Sequence, residues 1–244
     1  LVRGLVNGND TWWYVTGSKV NFCNTVASNA CGWWKITNGR VDFDFSGLAE
    51  NAYGWWKITN GQVDFSYVGY EQNGSNWWYV YGGQVCFQAT DVLPGTVGGQ
   101  YGWWKVCEGK VNFDDDVCEN AYGWWKITTG KVDFQYTGLA QNACGWWMIQ
   151  NGHVNFGSNG LVDNGNGWWL VRNGGVDFNY NGLVDNGNGW WLIRNGYVDF
   201  NYNGLVDNGN GWWLVKNGCV DFSYQGYVQN ECGVWWVSNG QVQF

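Results

Sequence analysis

Few residues of this chain have the type and spacing for chemistry. His153 is the only histidine among 244 residues, so no Ser/His/Asp or Cys/His set can be assembled for nucleophilic work. Eight cysteines are present, but none stands in CxxC spacing, which argues against zinc. Asp163-Asn164-Gly165-Asn166-Gly167, repeated from Asp185 and Asp207, is oxygen-rich in the manner of a calcium loop. It lacks the bidentate glutamate and alternating ligands of such loops, and Asn-Gly turn chemistry accounts for it. Recurrent aspartates form a row rather than a converging pair of carboxylates, and no phosphate-binding loop is present, so no catalytic residue and no cofactor is expected. What remains is tryptophan, at 22 copies. A flat indole beside carboxylate and amide groups suits a sugar, whose C–H face stacks while its hydroxyls form hydrogen bonds.

The tryptophans are placed by a repeat. A Trp-Trp pair begins at Trp12, Trp33, Trp55, Trp77, Trp103, Trp124, Trp146, Trp168, Trp190 and Trp212, and Val234-Trp235 starts a closing copy. The step is 22 residues in most copies, with one of 26. A fixed period in this range marks a repeat architecture. Residues 1–11 read as a partial repeat and 12–244 as eleven tandem copies, with the longest connector at 88–102. Residues 160–225 hold three nearly identical copies, consistent with recent duplication.

Counting from the first residue of each pair, position 2 is Trp, position 4 is Ile or Val, position 9 is Val and position 11 is Phe in every copy. Positions 6 and 7 read Asn-Gly in seven copies, as in Asn38-Gly39 and Asn173-Gly174. That dipeptide between β-branched and aromatic runs predicts a type I′ hairpin. A two-residue turn sets position 4 opposite 9, 2 opposite 11 and 1 opposite 12. Trp34, Ile36, Val41 and Phe43 then share an apolar face, while Trp33, Lys35, Asp42 and Asp44 share the other. Lys35 is expected to pair with Asp42 across the strands. A single hairpin is marginal in water, so copies must bury their faces on one another. The expected fold is all-β, a β-solenoid of about eleven stacked hairpin repeats, with no helical period in the chain.

The net charge of −8 argues against nucleic acid, and no apolar run is long enough for a membrane span. Because Leu1 falls inside a partial repeat, the chain reads as a mature or excised piece of something longer. The even cysteine count favours an oxidising, extracellular setting. Solenoid contacts join near neighbours only, so the expected disulfides are Cys23–Cys31, Cys86–Cys107, Cys118–Cys144 and Cys219–Cys232.

The pattern Gly-Trp, short strand, Gly turn, aromatic strand resembles the GW-type cell-wall-binding repeats. These include choline-binding modules of bacterial surface proteins, glucan-binding repeats and repeats of secreted proteins of anaerobic gut Firmicutes. The resemblance covers the whole chain. It implies a solenoid of hairpins on a bacterial surface or in its medium, with ligand cages between successive hairpins. The cage tryptophan of that family maps onto Trp33, Trp55, Trp103 and their equivalents. On the second strand Val41-Asp42-Phe43 places Asp where the family's cage has a ring, which favours a glycan over choline.

The position-1 tryptophans Trp33, Trp55, Trp103, Trp124, Trp146, Trp168, Trp190 and Trp212 are therefore the candidate glycan-binding residues, together with Asp42, Asp64, Asp133, Asp177 and Asp199. The alternative is that each indole packs on the next hairpin, for instance against Leu48 or Tyr67. The expected function is a non-catalytic, extracellular module that binds cell-wall or host glycans multivalently. A structural spacer or self-assembling surface fibre, stacking end to end, is the competing reading.

Overall fold

The computed structural model describes all 244 residues and consists of strands and turns, with no helix long and apolar enough to cross a membrane. Its contacts divide it into two compact units. One comprises Leu1–Tyr122 with Ile127–Val132, the other Gly123–Lys126 with Asp133–Phe244.

Within the first unit, the Asn-Gly turn forms as its chemistry requires. Asn60 and Gly61 both have positive φ, at 50° and 80°, which is the type I′ conformation. It joins Gly54–Thr59 to Gln62–Val63, with Ile58 opposite Val63 and Thr59 opposite Gln62. The predicted register holds here, but the second strand ends at once. The Asp64 amide makes a last bond to Lys57 O at 3.0 Å, and its Oδ1 accepts the amide N–H of Ser66 at 3.0 Å, turning the chain away.

That early turn overturns one expectation. Gly47–Asn51 is a third strand and pairs with Gly54–Thr59, placing Ala49 opposite Trp56, while the other edge at Trp56 pairs with Gln84 of the next copy. Position 2 is thus not opposite position 11. The position-11 phenylalanines consequently leave the core face, and Phe43, Phe65 and Phe134 are 47%, 50% and 50% exposed. The buried set is positions 4 and 9, where Ile36, Ile58 and Val80 are wholly enclosed and Val63 and Val85 nearly so, together with position 2, where Trp13, Trp56, Trp78 and Trp104 are buried as expected. Each such aliphatic side chain contributes about 1.5–3 kcal/mol relative to exposure.

Three-strand units stack turn upon strand. Position 8 of one copy pairs with position 2 of the copy before it, as in Gln62 with Trp34 and Gln84 with Trp56. The Lys35 amide donates to Gly61 O at 2.8 Å, and the Gly61 amide donates to Phe45 O at 2.8 Å. The Asn60 amide donates to Ser46 Oγ at 3.0 Å. A Cβ on Gly61 would sit 2.5 Å from Asp42 O and 2.7 Å from Phe43 Cα. Glycine is required here twice over, by conformation and by this close approach.

The second unit repeats the scheme. Gly204–Asp207, Trp212–Lys216 and Cys219–Val220 form one copy, with Val206 opposite Trp213, Val215 opposite Val220, and Cys219 against Trp191 of the preceding copy. Ile193, Val198 and Val215 are fully buried. Each unit is a solenoid-like stack of β-hairpins, without barrel closure.

Candidate functional site

Aromatic residues at positions 1, 2 and 11, with positions 1 and 2 on opposite faces of their own strand, converge where two copies meet. Trp33 at position 1 lies 4.9 Å, centroid to centroid, from Trp56 at position 2 of the next copy and 6.0 Å from Phe65 at its position 11. Phe65 stands edge-on to Trp56 at 5.8 Å, and Tyr53 closes a fourth side at 6.1 Å from Trp33. Trp55 makes the same set with Trp78 and Phe87 at 5.2 and 5.7 Å. In the second unit the sets are Trp124 with Trp147 and Phe156, Trp146 with Trp169 and Phe178, Trp168 with Trp191 and Phe200, and Trp190 with Trp213 and Phe222. Trp103 meets Tyr122 at 5.4 Å.

In those junctions the indoles touch, with centroids 4.9–5.3 Å apart, so each fills much of the space between the copies. Cavities lie at two other junctions. Trp12, Asn29, Cys31, Trp34, Val41 and Phe43 line a cavity of about 260 Å³. Trp212, Leu205, Asn230, Cys232, Trp235, Val242 and Phe244 line another of about 250 Å³. Their walls are rings and aliphatic groups. The Asn side chain in each is already committed, as Asn29 Oδ1 accepts both the Cys31 amide and the Trp34 Nε1–H. Such a box can hold an apolar group or, by cation–π attraction, a poorly hydrated cation.

The aspartates predicted alongside the indoles act within their own turns. Asp42 Oδ2 accepts the Thr37 hydroxyl at 2.9 Å, and Asp64 Oδ1 accepts the Ser66 hydroxyl at 2.6 Å. Asp133, Asp177 and Asp199 accept the amides of Gln135, Asn179 and Asn201. Asp177 and Asp199 also pair with Arg172 and Arg194, each at 3.3 Å. The expected Lys35–Asp42 pair does not form. Lys35 Nζ donates to Ile36 O at 3.1 Å and lies over the Phe45 ring.

A cation on the position-13 ring recurs through both units. Lys35, Lys57 and Lys126 reach it from position 3, whereas Arg172, Arg194 and Lys216 reach Tyr180, Tyr202 and Tyr224 from position 5, at 4.3–4.5 Å. The exchange explains why leucine replaces lysine at position 3 in the later copies. In the first unit Lys57 pairs with Glu71 at 2.8 Å, and Lys105 with Asp116 at 2.7 Å. Burial opposes ionisation of Asp116, yet the hydrogen bond from Lys105 and the Val117 amide hold its carboxyl below the usual range.

No disulfide joins the eight cysteines in this structure, so it lends no support to the four expected pairs Cys23–Cys31, Cys86–Cys107, Cys118–Cys144 and Cys219–Cys232. Cys31, Cys144 and Cys232 stand exposed at hairpin tips, whereas Cys23, Cys86, Cys107, Cys118 and Cys219 are half-buried among the strands. Cys219 Sγ packs against Gly189 of the preceding copy, and Cys86 Sγ donates weakly to Gln84 O at 3.7 Å. Burial, then the charge of Asp116, pushes the Cys118 thiol up to about 12.

The asparagine-rich loops are likewise satisfied internally. Asp163 Oδ1 accepts the Gly165 amide and Asn164 Oδ1 the Asn166 amide. In four other copies that asparagine also takes the position-2 indole N–H, as Asn51 does from Trp56 at 2.9 Å, whereas Trp13 and Trp104 donate to the Gly4 and Gly95 carbonyls. Trp78, Trp169, Trp191 and Trp213 have buried Nε1 atoms with no such acceptor.

The model of the choline-binding repeat matches residues 3–21, 44–64, 66–86, 135–155, 157–177, 179–199 and 201–221, more than half of the chain. The chain belongs to the choline-binding repeat family. Membership makes it, in class, a binding module. The matched segments 44–64 and 66–86 each begin after a position-11 phenylalanine and end at position 10, so the choline-binding repeat has the frame of the three-strand unit seen here. Among solved structures, CbpJ of Streptococcus pneumoniae TIGR4 is 14% identical, with 95% of this chain and 90% of that one covered and a TM-score of 0.35. Choline binding protein F of Streptococcus pneumoniae is 16% identical over 96% and 78% of the two chains, with a TM-score of 0.34. The modular autolysin LytC of the same species is 14% identical over 90% and 53%, with a TM-score of 0.35. A comparison with curated proteins gives no match.

Sequence reasoning found the position-1 indole but missed two of its three walls. Trp56 and Phe65 were both assigned to a core face of one hairpin. The signal available was that Phe is invariant at position 11 while the residues beside it are polar.

Proposed function

We propose that this chain is a non-catalytic, extracellular attachment module that holds bacterial cell-wall polysaccharide multivalently. It grips apolar or quaternary-ammonium substituents of the polymer in the aromatic boxes between successive copies. The observation that carries this reading is the open box at Trp212, Trp235 and Phe244, matched by that at Trp12, Trp34 and Phe43. Three rings with few free polar atoms favour a methylated ammonium over a bare sugar, since a sugar needs hydrogen-bonding partners and the turn aspartates are occupied. The family's name supports the same chemistry. Two weak boxes on one chain act together through effective concentration.

The test compares wild type with Trp12→Ala and Trp212→Ala, separately and together, on choline-substituted resin and on purified choline-bearing walls. Each single change should weaken retention about tenfold, and the pair should abolish it while the far-ultraviolet spectrum stays β. Unchanged retention by the double variant would refute the assignment.

A second reading, a structural spacer or fibre, draws on the touching indoles of the six filled junctions, which serve packing without any ligand. It predicts no retention by wild-type protein on either matrix and concentration-dependent association in ultracentrifugation.

A further inference from the structure

A cleft outside the aromatic boxes has a different chemistry. It lies in the first unit, encloses about 300 Å³, and is bordered by Lys35, Phe45, Leu48, Glu50, Trp55 and Asn73. Where the boxes present rings alone, this cleft offers an indole together with an ammonium, a carboxylate and an amide.

The polar groups here are left with capacity to spare. Glu50 Oε2 accepts the Trp55 Nε1–H at 3.0 Å, which fixes the carboxylate at the edge of the indole and leaves Oε1 without a partner in the chain. Lys35 differs from two lysines of its row. Lys57 and Lys105 occupy the same position in their copies and are neutralised by Glu71 and Asp116. The residues of the second copy equivalent to those carboxylates are Ala49 and Ser46, so the half-buried Lys35 ammonium has only the Ile36 carbonyl and the Phe45 ring. Two of its three N–H groups remain for an acceptor. A half-buried ammonium without a carboxylate is costly, and an oxygen-bearing ligand would relieve it. Asn24, also on the rim, accepts the Asn38 amide through Oδ1 at 2.7 Å, which leaves its NH₂ as a donor.

We propose that this cleft binds one neutral pyranose of a glycan chain, its C–H face on Trp55, its hydroxyls donating to Glu50 and accepting from Lys35 and the amides of Asn24 and Asn73. The balance of one cation and one carboxylate, on a chain of net charge −8, disfavours an acidic sugar. The assignment rests on the reading of the chain as a binding module but uses none of the residues of the open boxes, so the two can fail separately.

The experiment titrates the full chain with maltotetraose, chitotetraose and a tetramer of galacturonic acid, read by saturation-transfer nuclear magnetic resonance and calorimetry. Choline chloride is titrated in parallel. At least one neutral tetramer should bind and the acidic one should not. Lys35→Met and Glu50→Gln should each weaken that binding about tenfold, as expected for losing a charge-assisted hydrogen bond, and leave the choline response unchanged. Should a variant lose its native near-ultraviolet spectrum, Asn73→Ala at the exposed tip decides instead, with a several-fold loss expected. Equal neutral-sugar affinity in wild type and variants, preference for the acidic tetramer, or no neutral binding overturns the proposal. Loss of choline binding alone would sink the box reading and leave this one standing.

Discussion

The cysteines show how far exposure, not count, governs residue chemistry. Cys31, Cys144 and Cys232 are exposed thiols at hairpin tips, whereas Cys118 is enclosed beside the Asp116 carboxylate, and burial first, then that charge, pushes it up to about 12. Thiolate is the reacting form. Brief treatment of the native protein with iodoacetamide at pH 8 should therefore modify Cys31, Cys144 and Cys232 fully and Cys118 hardly at all, as read by peptide mass mapping. Denaturation before treatment should bring all eight into reach. Tip cysteines resistant to alkylation until a reductant is added would show that they are paired after all.

At the scale of one element, the type I′ turn does two jobs, and they can be separated. Gly61 has φ of 80° and also meets the backbone of the preceding copy, with Asp42 O 2.5 Å from any Cβ. Gly165 has φ of 85° with nothing within 4 Å. Alanine at Gly165 costs conformational strain alone, about 1–2 kcal/mol. Alanine at Gly61 adds a clash with backbone that cannot rotate away, so its cost should reach about 3 kcal/mol or more. Chemical denaturation of Gly61→Ala and Gly165→Ala measures the difference, and equal losses would mean that the turn does not dock as described. The same docking explains why the position-14 side chains are hydroxyls and amides: Ser46, Thr137, Asn159 and Asn181 each accept the position-6 amide of the following copy.

For the whole molecule, stability should be additive along the stack, because each copy contacts its neighbours only. Residues 182–203 form one complete 22-residue copy between two that are nearly identical to it. Their deletion brings Cys219 against Trp169 in place of Trp191, and position 8 against position 2 is the contact every other copy makes. The shortened chain should keep its β spectrum and unfold only a few degrees lower. Complete loss of structure would show instead that the copies form one indivisible core. Retention on a choline resin should also survive the deletion, since neither open box is touched.

What the sequence determined by itself was periodic and local. Asn-Gly with positive φ at both residues forced the turn, and the turn forced Ile58 opposite Val63, because a two-residue loop admits one register. The invariant Ile or Val at position 4 and Val at position 9 named the buried pair correctly. Position 11 was read on the same face by extending the alternation two residues further, but Asp64 hydrogen-bonds the Ser66 amide and ends the strand first. Only tertiary structure could decide what followed from that. Phe65 moved out of its own core to stand against Trp33 of the preceding copy, and the connector became a third strand because the Gly54–Thr59 edge had unpaired backbone to satisfy. The open boxes depend on the spacing of two copies, and the Trp55 cleft on a missing carboxylate beside Lys35. Both are differences between neighbours in space, to which a pattern read along one copy is blind.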